Sequence, residues 1–186
     1  VPLMESLALP PGVSAVANAK TSTGRLDVLT RLVTDEGVEF DRVPEGYTGP
    51  LWAEICPRSF SILVRPGQRL NQIRFRRGEA TLSDTDLHAL HARTGLVAGA
   101  GVAPHAGLVD LDGIGAHEAA DYWEPLSARD GRLILDPGAF YILVSREAVH
   151  IPPDHAAEMA PYLAMVGEFR VHYAGFFDPG FGHAAA

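Results

Sequence analysis

Runs of alternating apolar and polar residues, separated by Pro/Gly turns, restrict the N-terminal part of the chain to β structure. Residues 25–33 and 60–64 alternate in this way, and residues 69–75 follow in the same manner. The turn segments between the runs are PEGYTGP, CPRS and RPGQ. Short strands at this spacing are typical of all-β folds, so the sequence predicts a mainly β barrel or sandwich.

A different pattern interrupts the β runs in the middle of the chain. Residues 79–95 combine a capping residue, leucines at helical spacing and a terminal glycine, which predicts a helix. Residues 96–107 are rich in Gly and Ala and predict a linker or mobile loop. The patterning of residues 131–152 then predicts a return to β structure.

Two pairs of segments resemble each other at almost the same offset along the chain. Residues 1–11 resemble residues 142–153, and residues 24–28 resemble residues 167–171. Chance similarity between short β runs is the alternative to a true repeat. We predict two homologous β units, the first without its N-terminal part and the second without its C-terminal part, as if cut from a longer chain. The predicted division is a first unit at 1–78, a helix and linker at 79–107, and a second unit at 108–186.

Charge and cysteine content exclude several classes of protein. The formal net charge is −8, which argues against general binding to nucleic acid or to a membrane surface, because both favour a basic face. The single cysteine, Cys56, excludes a disulfide framework and fits a reducing compartment such as the cytoplasm. No apolar run reaches the roughly 18 residues that a membrane span requires.

Two cations and three hydroxyl side chains surround a glycine in ANAKTSTGRLDV, residues 17–28. A triphosphate needs such a set, since Lys supplies a point charge, Arg a planar fork, and hydroxyls and backbone N–H groups complete the shell. The spacing is not that of a Walker A loop. A solvent-exposed Ser/Thr turn is the alternative, and the residues taken alone favour it.

Glu54 is the acid that strand geometry places beside Trp52 and Cys56, because alternate residues of a strand share a face. On such a face we expect the carboxyl to be partly buried. Burial raises the pKa of a carboxyl group and suits it to general base catalysis. An edge-strand glutamate facing solvent is the alternative, and composition does not decide between the two.

Zinc chemistry finds little support in the sequence. Zinc nucleobase deaminases need H-x-E and P-C-x-x-C, and a chain with one cysteine cannot supply the second motif. His88 and His91 have an acceptable ligand spacing on the predicted helix, but no third ligand is evident. We interpret them as surface histidines.

Taken together, these motifs resemble those of the dCTP deaminases of the dUTPase-like superfamily. The resemblance rests on KTSTGRLDV, a GYTG turn, AEI and ILVRPGQRLNQIRF, which follow one another in the family's order. It covers essentially the whole chain, which resembles the middle of the long, two-unit subfamily. It implies a distorted jelly-roll-like β barrel and a homo-oligomer with threefold or pseudo-threefold symmetry, whose active sites lie between subunits.

The resemblance also implies a reaction and the residues that perform it. The family deaminates dCTP to dUTP and ammonia by hydrolysis, without zinc and with Mg²⁺ carried on the triphosphate. By this resemblance Glu54 activates water for attack at C4 of cytosine, and Arg25 orients the site and stabilises developing charge. Lys20, Thr21 and Ser22 bind phosphates, and one of the two hydroxyls contacts the attacking water. Lys20 and Thr21 depart from the family's commoner Arg and Ser.

The second unit carries only part of the family pattern. A family turn that contacts the nucleotide sugar survives there as FFDPGFG, which makes Asp178 a candidate sugar contact. The corresponding segment of the first unit, FDRVPEGYTG, is longer. The basic-Ser-Ser motif is absent from the second unit, so whether that unit holds an active site stays open.

Two alternatives to a deaminase stay open. One is a dUTP diphosphatase, or an enzyme that performs both steps; dUTPases place an Asp just before a Y-x-G turn, whereas here Gly46 precedes Tyr47 and Asp41 lies farther back. The other is a nucleotide-binding scaffold without turnover. Their products differ: ammonia and dUTP, dUMP and diphosphate, or binding alone.

Overall fold

The computed structural model describes residues 1–78, 107–127, 132–143, 149–158 and 175–182. These residues are mainly β, with one single-turn α-helix, which confirms the predicted class. The described strands form four small sheets and do not close on one another, so the expected barrel is not seen in this part of the chain. The predicted helix, nearly all of the linker, and the repeat partner at 167–171 lie outside the described residues.

The elements are, in chain order, β1 (Pro2–Ala8), β2 (Val13–Ala19), α1 (Thr21–Gly24), β3 (Val28–Thr34), β4 (Arg42–Val43), β5 (Thr48–Pro57), β6 (Ile62–Leu63), β7 (Asn71–Arg77), β8 (Val109–Asp110), a 3₁₀ turn (Ala119–Asp121), β9 (Ala157–Glu158) and β10 (Phe176–Phe177). β9 and β10 pair with each other. Among the described residues, no helix is long and apolar enough to cross a membrane.

The chain divides into two compact units that do not follow the chain order. Of the described residues, the first unit holds 1–58, 66–78, 158 and 175–176. The second holds 59–65, 107–127, 132–143, 149–157 and 177–182. The predicted origin of the chain in two homologous units stays a prediction.

The first unit is built from two three-stranded sheets, ordered β1-β5-β3 and β4-β2-β7. Strand alternation buries one face of each: along β3 the buried residues are Val28, Thr30, Leu32 and Thr34, with half-buried residues between them. The core cluster contains small and branched side chains from both sheets, namely Ala15, Ala17, Leu32, Val43 and Leu51. β3 and β5 pair antiparallel over seven residues, from Val28 opposite Pro57 to Thr34 opposite Leu51.

The second unit has an aromatic core and an exposed ion pair. Phe60 is buried, and the centroid of its ring lies 6.0 Å from that of Tyr122 and 5.7 Å from that of Trp123. β6 and β8 pair in parallel, and Arg65 just after β6 binds Asp110 of β8 through two hydrogen bonds of 2.5 and 2.8 Å. Hydrogen bonding from Arg65 lowers the pKa of Asp110 to about 2.

The two units contain turns of the same construction, at residues 44–47 and 178–181. In each turn the first carbonyl accepts a hydrogen bond from the fourth N–H, at 3.3 and 3.0 Å. The third residue is a glycine with φ of 70° and 80°, respectively, a conformation that type II turns require there. The fourth carbonyl then accepts the N–H of Leu9 in one unit and of Ile151 in the other.

The expected return to β structure at residues 131–152 is wrong for the residues described there. Residues 133–143 and 149–152 form no strand, and Arg132 makes only an isolated bridge. At residues 136–139 the reason is local: the N–H of Ala139 closes a turn on the carbonyl of Asp136, and Gly138 inside it has a φ of 77°. A Pro-Gly pair at this point ends a strand, because proline cannot donate to a ladder.

Candidate active site

Residues 20–25 form a tight turn that is fastened to the start of β7. The N–H of Lys20 donates to the carbonyl of Leu70 at 2.9 Å, and the hydroxyl of Thr23 donates to the same carbonyl at 3.0 Å. The N–H of Gly24 closes the turn on the carbonyl of Lys20 at 2.9 Å. A single helical turn is unstable alone, so these tertiary bonds hold it.

The turn separates its side chains into an inner and an outer set. Thr23 and Gly24 are buried, whereas Thr21, Ser22 and Arg25 are exposed and Lys20 is half-buried. The structure thus places these four predicted site residues on one short turn, with their charges and hydroxyls outside the core. We call Lys20, Thr21, Ser22 and Arg25 the cationic turn.

Asp27 ends the cationic turn and sets where β3 begins. It is 7% exposed with a φ of 52°, a left-handed conformation that Asp tolerates better than most residues. Its carbonyl accepts the N–H of Arg58 at 3.0 Å, beside the last residue of β5. The predicted strand at 25–33 therefore begins three residues late, at Val28.

Glu54 lies on the outer face of β5, the central strand of its sheet. Leu51 and Ala53 point into the core, at 4% and 5% exposure, so Glu54 and Trp52 point outward. The shared face with Trp52 is as predicted, but the expected partial burial of Glu54 is wrong in the single chain, where the residue is exposed. The sequence did not reveal which set of alternate residues enters the core.

The cationic turn and Glu54 are connected through two neighbouring strands of one sheet. The turn leads into β3, and β3 pairs with β5. In the register of this pair, Arg31 lies directly opposite Glu54, which puts their Cβ atoms about 4.5–5.5 Å apart on one face. Within the described part of the chain no ion pair involves Glu54, Lys20 or Arg25.

Arg31 is engaged by Asp41 rather than by Glu54. Its Nε lies 2.6 Å from Oδ2 of Asp41, and its guanidinium carbon lies 5.0 Å from the ring centroid of Phe40. Oδ1 of Asp41 accepts the N–H of Leu32 at 2.7 Å. Burial raises the pKa of Asp41, and these two partners oppose the rise. The sequence alone does not predict the Arg31–Asp41 pair, because the contact depends on the strand register and on the conformation of the loop that leads to Asp41.

The raised pKa of Asp41 leads to a stability prediction. A carboxyl whose pKa is higher in the folded state destabilises the fold while charged, and this cost disappears as pH falls through that raised pKa. We expect Asp41→Asn to be at least as stable as the parent at pH 7. As pH falls toward about 4, the ordinary carboxyl pKa, the free energy of unfolding of the parent should rise relative to that of the variant. Urea unfolding at several pH values measures this difference. A fall in the free energy of unfolding of the parent relative to Asp41→Asn on acidification would contradict the prediction.

A matched variant separates the charge of Asp41 from its hydrogen bond. Asp41 has a φ of 62°, which Asn tolerates and Ala does not. Asp41→Ala removes the acceptor of the Leu32 N–H, which costs about 1–3 kcal/mol, and adds the strain of a left-handed alanine, which costs about 1–2 kcal/mol. Equal stability of the Ala and Asn variants would show that the hydrogen bond contributes nothing.

Two amides at the start of β7 were not singled out from the sequence. The side-chain nitrogen and oxygen of Asn71 and the side-chain nitrogen of Gln72 are buried without a hydrogen-bond partner in the described structure. They directly follow Leu70, which fastens the cationic turn. Buried polar groups are normally satisfied, so these amides add unmet hydrogen-bonding capacity beside the turn. The only sequence signal was two consecutive amides after the RPGQ turn.

The other predicted candidates are distributed differently. Asp178 is exposed at the first position of its turn in the second unit, and its contact with a sugar stays a prediction. Cys56 is a half-buried free thiol. No group of three or more His, Cys, Asp or Glu in the described ranges could hold a metal ion. His88 and His91 lie outside those ranges.

Comparison with family models matches the chain over nearly its full length. The N-terminal domain model of 2'-deoxycytidine 5'-triphosphate deaminase matches residues 1–79, and the C-terminal domain model of the same family matches residues 81–186. A search of curated proteins returned no match.

A solved structure resembles the chain closely. The crystal structure of 2'-deoxycytidine 5'-triphosphate deaminase from Agrobacterium tumefaciens superposes with a TM-score of 0.90 at 54% sequence identity. The match covers 98% of this chain and 63% of that one. The chain therefore spans less than two thirds of the length of that protein.

Proposed function

Because the chain belongs to the 2'-deoxycytidine 5'-triphosphate deaminase family, we propose that it hydrolyses dCTP to dUTP and ammonia. The observation that carries this proposal is the pairing of β3 with β5. It joins a turn with two cations and two hydroxyls to a strand with an outward-facing carboxylate. Phosphate recognition and proton transfer then belong to one sheet.

The cationic turn binds the triphosphate in this proposal. Lys20 supplies a point charge, and the planar guanidinium of Arg25 offers paired donors to phosphate oxygens. The hydroxyl groups of Thr21 and Ser22 donate hydrogen bonds to phosphate oxygens. This donor set fits anionic oxygens and not a metal ion, so in this proposal Mg²⁺ is carried on the triphosphate of the substrate.

Glu54 is the general base. Its carboxylate takes one proton from water as the water oxygen adds to C4 of cytosine, and it returns that proton to the amino nitrogen as the C4–N bond breaks. The second proton of the water passes from the C4 hydroxyl to N3, which leaves the C4 carbonyl and the N3–H of uracil. One water is consumed, and dUTP and ammonia leave. A positioned base of this kind contributes about 10²–10⁴-fold to the rate. Arg25 orients the site and stabilises the charge that develops during addition.

The diphosphatase alternative needs an acid that activates water at phosphorus near the turn that contains Tyr47. Asp41 is the nearby candidate in sequence, but both of its carboxylate oxygens already have partners, in Arg31 and the N–H of Leu32. The geometry therefore favours the deaminase.

A product assay tests the proposal. The chain is incubated with dCTP and Mg²⁺, and nucleotides and ammonia are measured separately. Equal amounts of dUTP and ammonia support the deaminase. Release of dUMP and diphosphate from added dUTP would indicate a diphosphatase or an enzyme of both steps, and binding of dCTP without products would indicate a scaffold.

We propose that the deamination is independent of zinc. Its support is the single cysteine, which cannot build the Cys-x-x-Cys element of zinc deaminases. Ammonia release should stay within about twofold after treatment with a zinc-selective chelator in excess Mg²⁺. A loss restored by added zinc would contradict this.

The cytoplasmic location expected from the sequence stays a prediction. We also propose a homo-oligomer of threefold or pseudo-threefold symmetry. The support for the assembly is the family membership and the exposure of Glu54 in the single chain, which leaves room for a second subunit over the site. Light scattering should give a mass that is a multiple of three chains. A monomer at micromolar concentration would contradict the assembly.

A further inference from the structure

Trp52 is a large aromatic residue on the same outer face of β5 as Glu54. It precedes Glu54 by two residues, which places the two about 6.6 Å apart along the strand, twice the rise of about 3.3 Å per residue. The residue is 40% exposed and points away from the core, which its neighbours Leu51 and Ala53 enter. Its cross-strand partners are Pro2 on β1 and Val33 on β3, which flank it without covering it.

The indole of Trp52 is held in position by hydrogen bonds. Its Nε1–H donates to Oδ1 of Asp35 at 3.0 Å. The N–H of Asp35 donates to the hydroxyl oxygen of Tyr47 at 3.2 Å, and that hydroxyl donates to the carbonyl of Pro50 at 2.6 Å. An exposed tryptophan can satisfy its N–H with water, so a side-chain acceptor here fixes the ring instead.

We propose that Trp52 forms the stacking surface for the cytosine ring of dCTP and so presents C4 to Glu54. The inference rests on the proposed function and adds a residue that binds the base of the substrate and not its phosphates. A base stacked on a fixed indole two residues from Glu54 lies with one edge toward the carboxylate. Stacking on aromatic side chains is a general means of holding nucleobases.

Stacking recognises the π face of the base and not its exocyclic group. Trp52 therefore supplies affinity for cytosine and uracil nucleotides alike, and it leaves discrimination between amino and oxo groups to hydrogen bonds. Loss of the stack should weaken dCTP and dUTP binding in parallel, by about 5- to 150-fold, the range for single base–aromatic stacks.

Intrinsic fluorescence gives a direct test, because Trp52 and Trp123 are the two tryptophans of the chain. Trp123 packs between Phe60 and Phe140 in the second unit, so Trp123→Phe keeps an aromatic ring there and leaves Trp52 as the sole indole. This variant also carries Glu54→Gln, so that dCTP is not consumed during the measurement. It is titrated with dCTP and Mg²⁺ at 295 nm excitation, and dCTP binding is measured in parallel by equilibrium dialysis. We expect quenching that saturates with the Kd found by dialysis.

Variants of Trp52 provide the second readout. We expect Trp52→Leu to raise KM for dCTP about 5- to 150-fold with kcat within about threefold, and Trp52→Phe to recover part of the loss. Asp35→Asn keeps an Oδ1 acceptor, whereas Asp35→Ala frees the indole and should lower its fluorescence anisotropy. Circular dichroism confirms that each variant is folded, which we expect because Trp52 lies outside the core.

The outcomes separate the inference from the proposed function. Bound dCTP with unchanged Trp52 emission, or an unaltered KM in a folded Trp52→Leu variant, overturns the stacking role while the deaminase proposal stands. Absence of dCTP binding by dialysis overturns the proposed function, and the stacking role with it.

Discussion

Glu54→Gln should lower kcat for ammonia release from dCTP about 10²–10⁴-fold, the contribution of a positioned general base. Glutamine keeps the size and shape of the side chain but cannot accept the proton of water. Because Glu54 is exposed on the outer face of β5, the substitution should change stability by no more than about 0.5 kcal/mol. The Kd for dUTP, which the proposed reaction does not consume, should stay within about threefold. Initial rates of ammonia release and equilibrium dialysis measure both effects.

Glu5→Gln is the matched control for this variant. Glu5 is an exposed acid on β1, a strand that pairs with β5, so the same change of charge is made on the same sheet. Activity should be retained. A Glu54→Gln variant with more than a tenth of the parent activity would remove Glu54 from the role of base.

Arg25→Ala should lower kcat/KM for dCTP about 10²-fold or more. The guanidinium is exposed at the end of the cationic turn, and hydrogen bonds to charged groups contribute about 1.5–3 kcal/mol each. Arg25→Lys keeps the charge but loses the planar fork, so it should recover only part of the loss. Steady-state kinetics with dCTP and dCMP as paired substrates measure the effect.

The triphosphate dependence distinguishes a phosphate role from a general loss of charge. The penalty of Arg25→Ala should be smaller for dCMP than for dCTP, since dCMP offers fewer phosphate oxygens. Arg77→Ala is the control, because Arg77 is an exposed cation at the far end of β7. An equal penalty for the two variants would point to long-range electrostatics instead of a local contact.

Much of the first unit could be predicted from the alternation of residue types. The strands expected at 25–33 and 69–75 occur there, with shifted ends, as β3 and β7, and the strand expected at 60–64 occurs as β6 of the second unit. α1 could not be predicted, because a single turn depends on bonds from Lys20 and Thr23 to a carbonyl some fifty residues away in the chain. Only the folded chain shows which groups close it.

The candidate site could also be predicted only in part. The cationic turn is contiguous in sequence, so its residues could be identified from their order alone. The face of β5 was ambiguous, because Leu51, Ala53 and Ile55 alternate with a set that also contains Trp52 and Cys56, and both sets look partly apolar. The pairing of Arg31 with Asp41 and of Trp52 with Asp35 depends on loop geometry that alternation does not encode.

The position of the water oxygen in the product tests the central claim most directly. The chain is incubated with dCTP and Mg²⁺ in ¹⁸O-labelled water, and the nucleotides are analysed by mass spectrometry with fragmentation of base and phosphates. We predict one label in the uracil base of an intact dUTP, together with one ammonia per dUTP, and neither from Glu54→Gln. Label in a phosphate group with an unlabelled base would contradict deamination at C4 and assign the chain to phosphate hydrolysis.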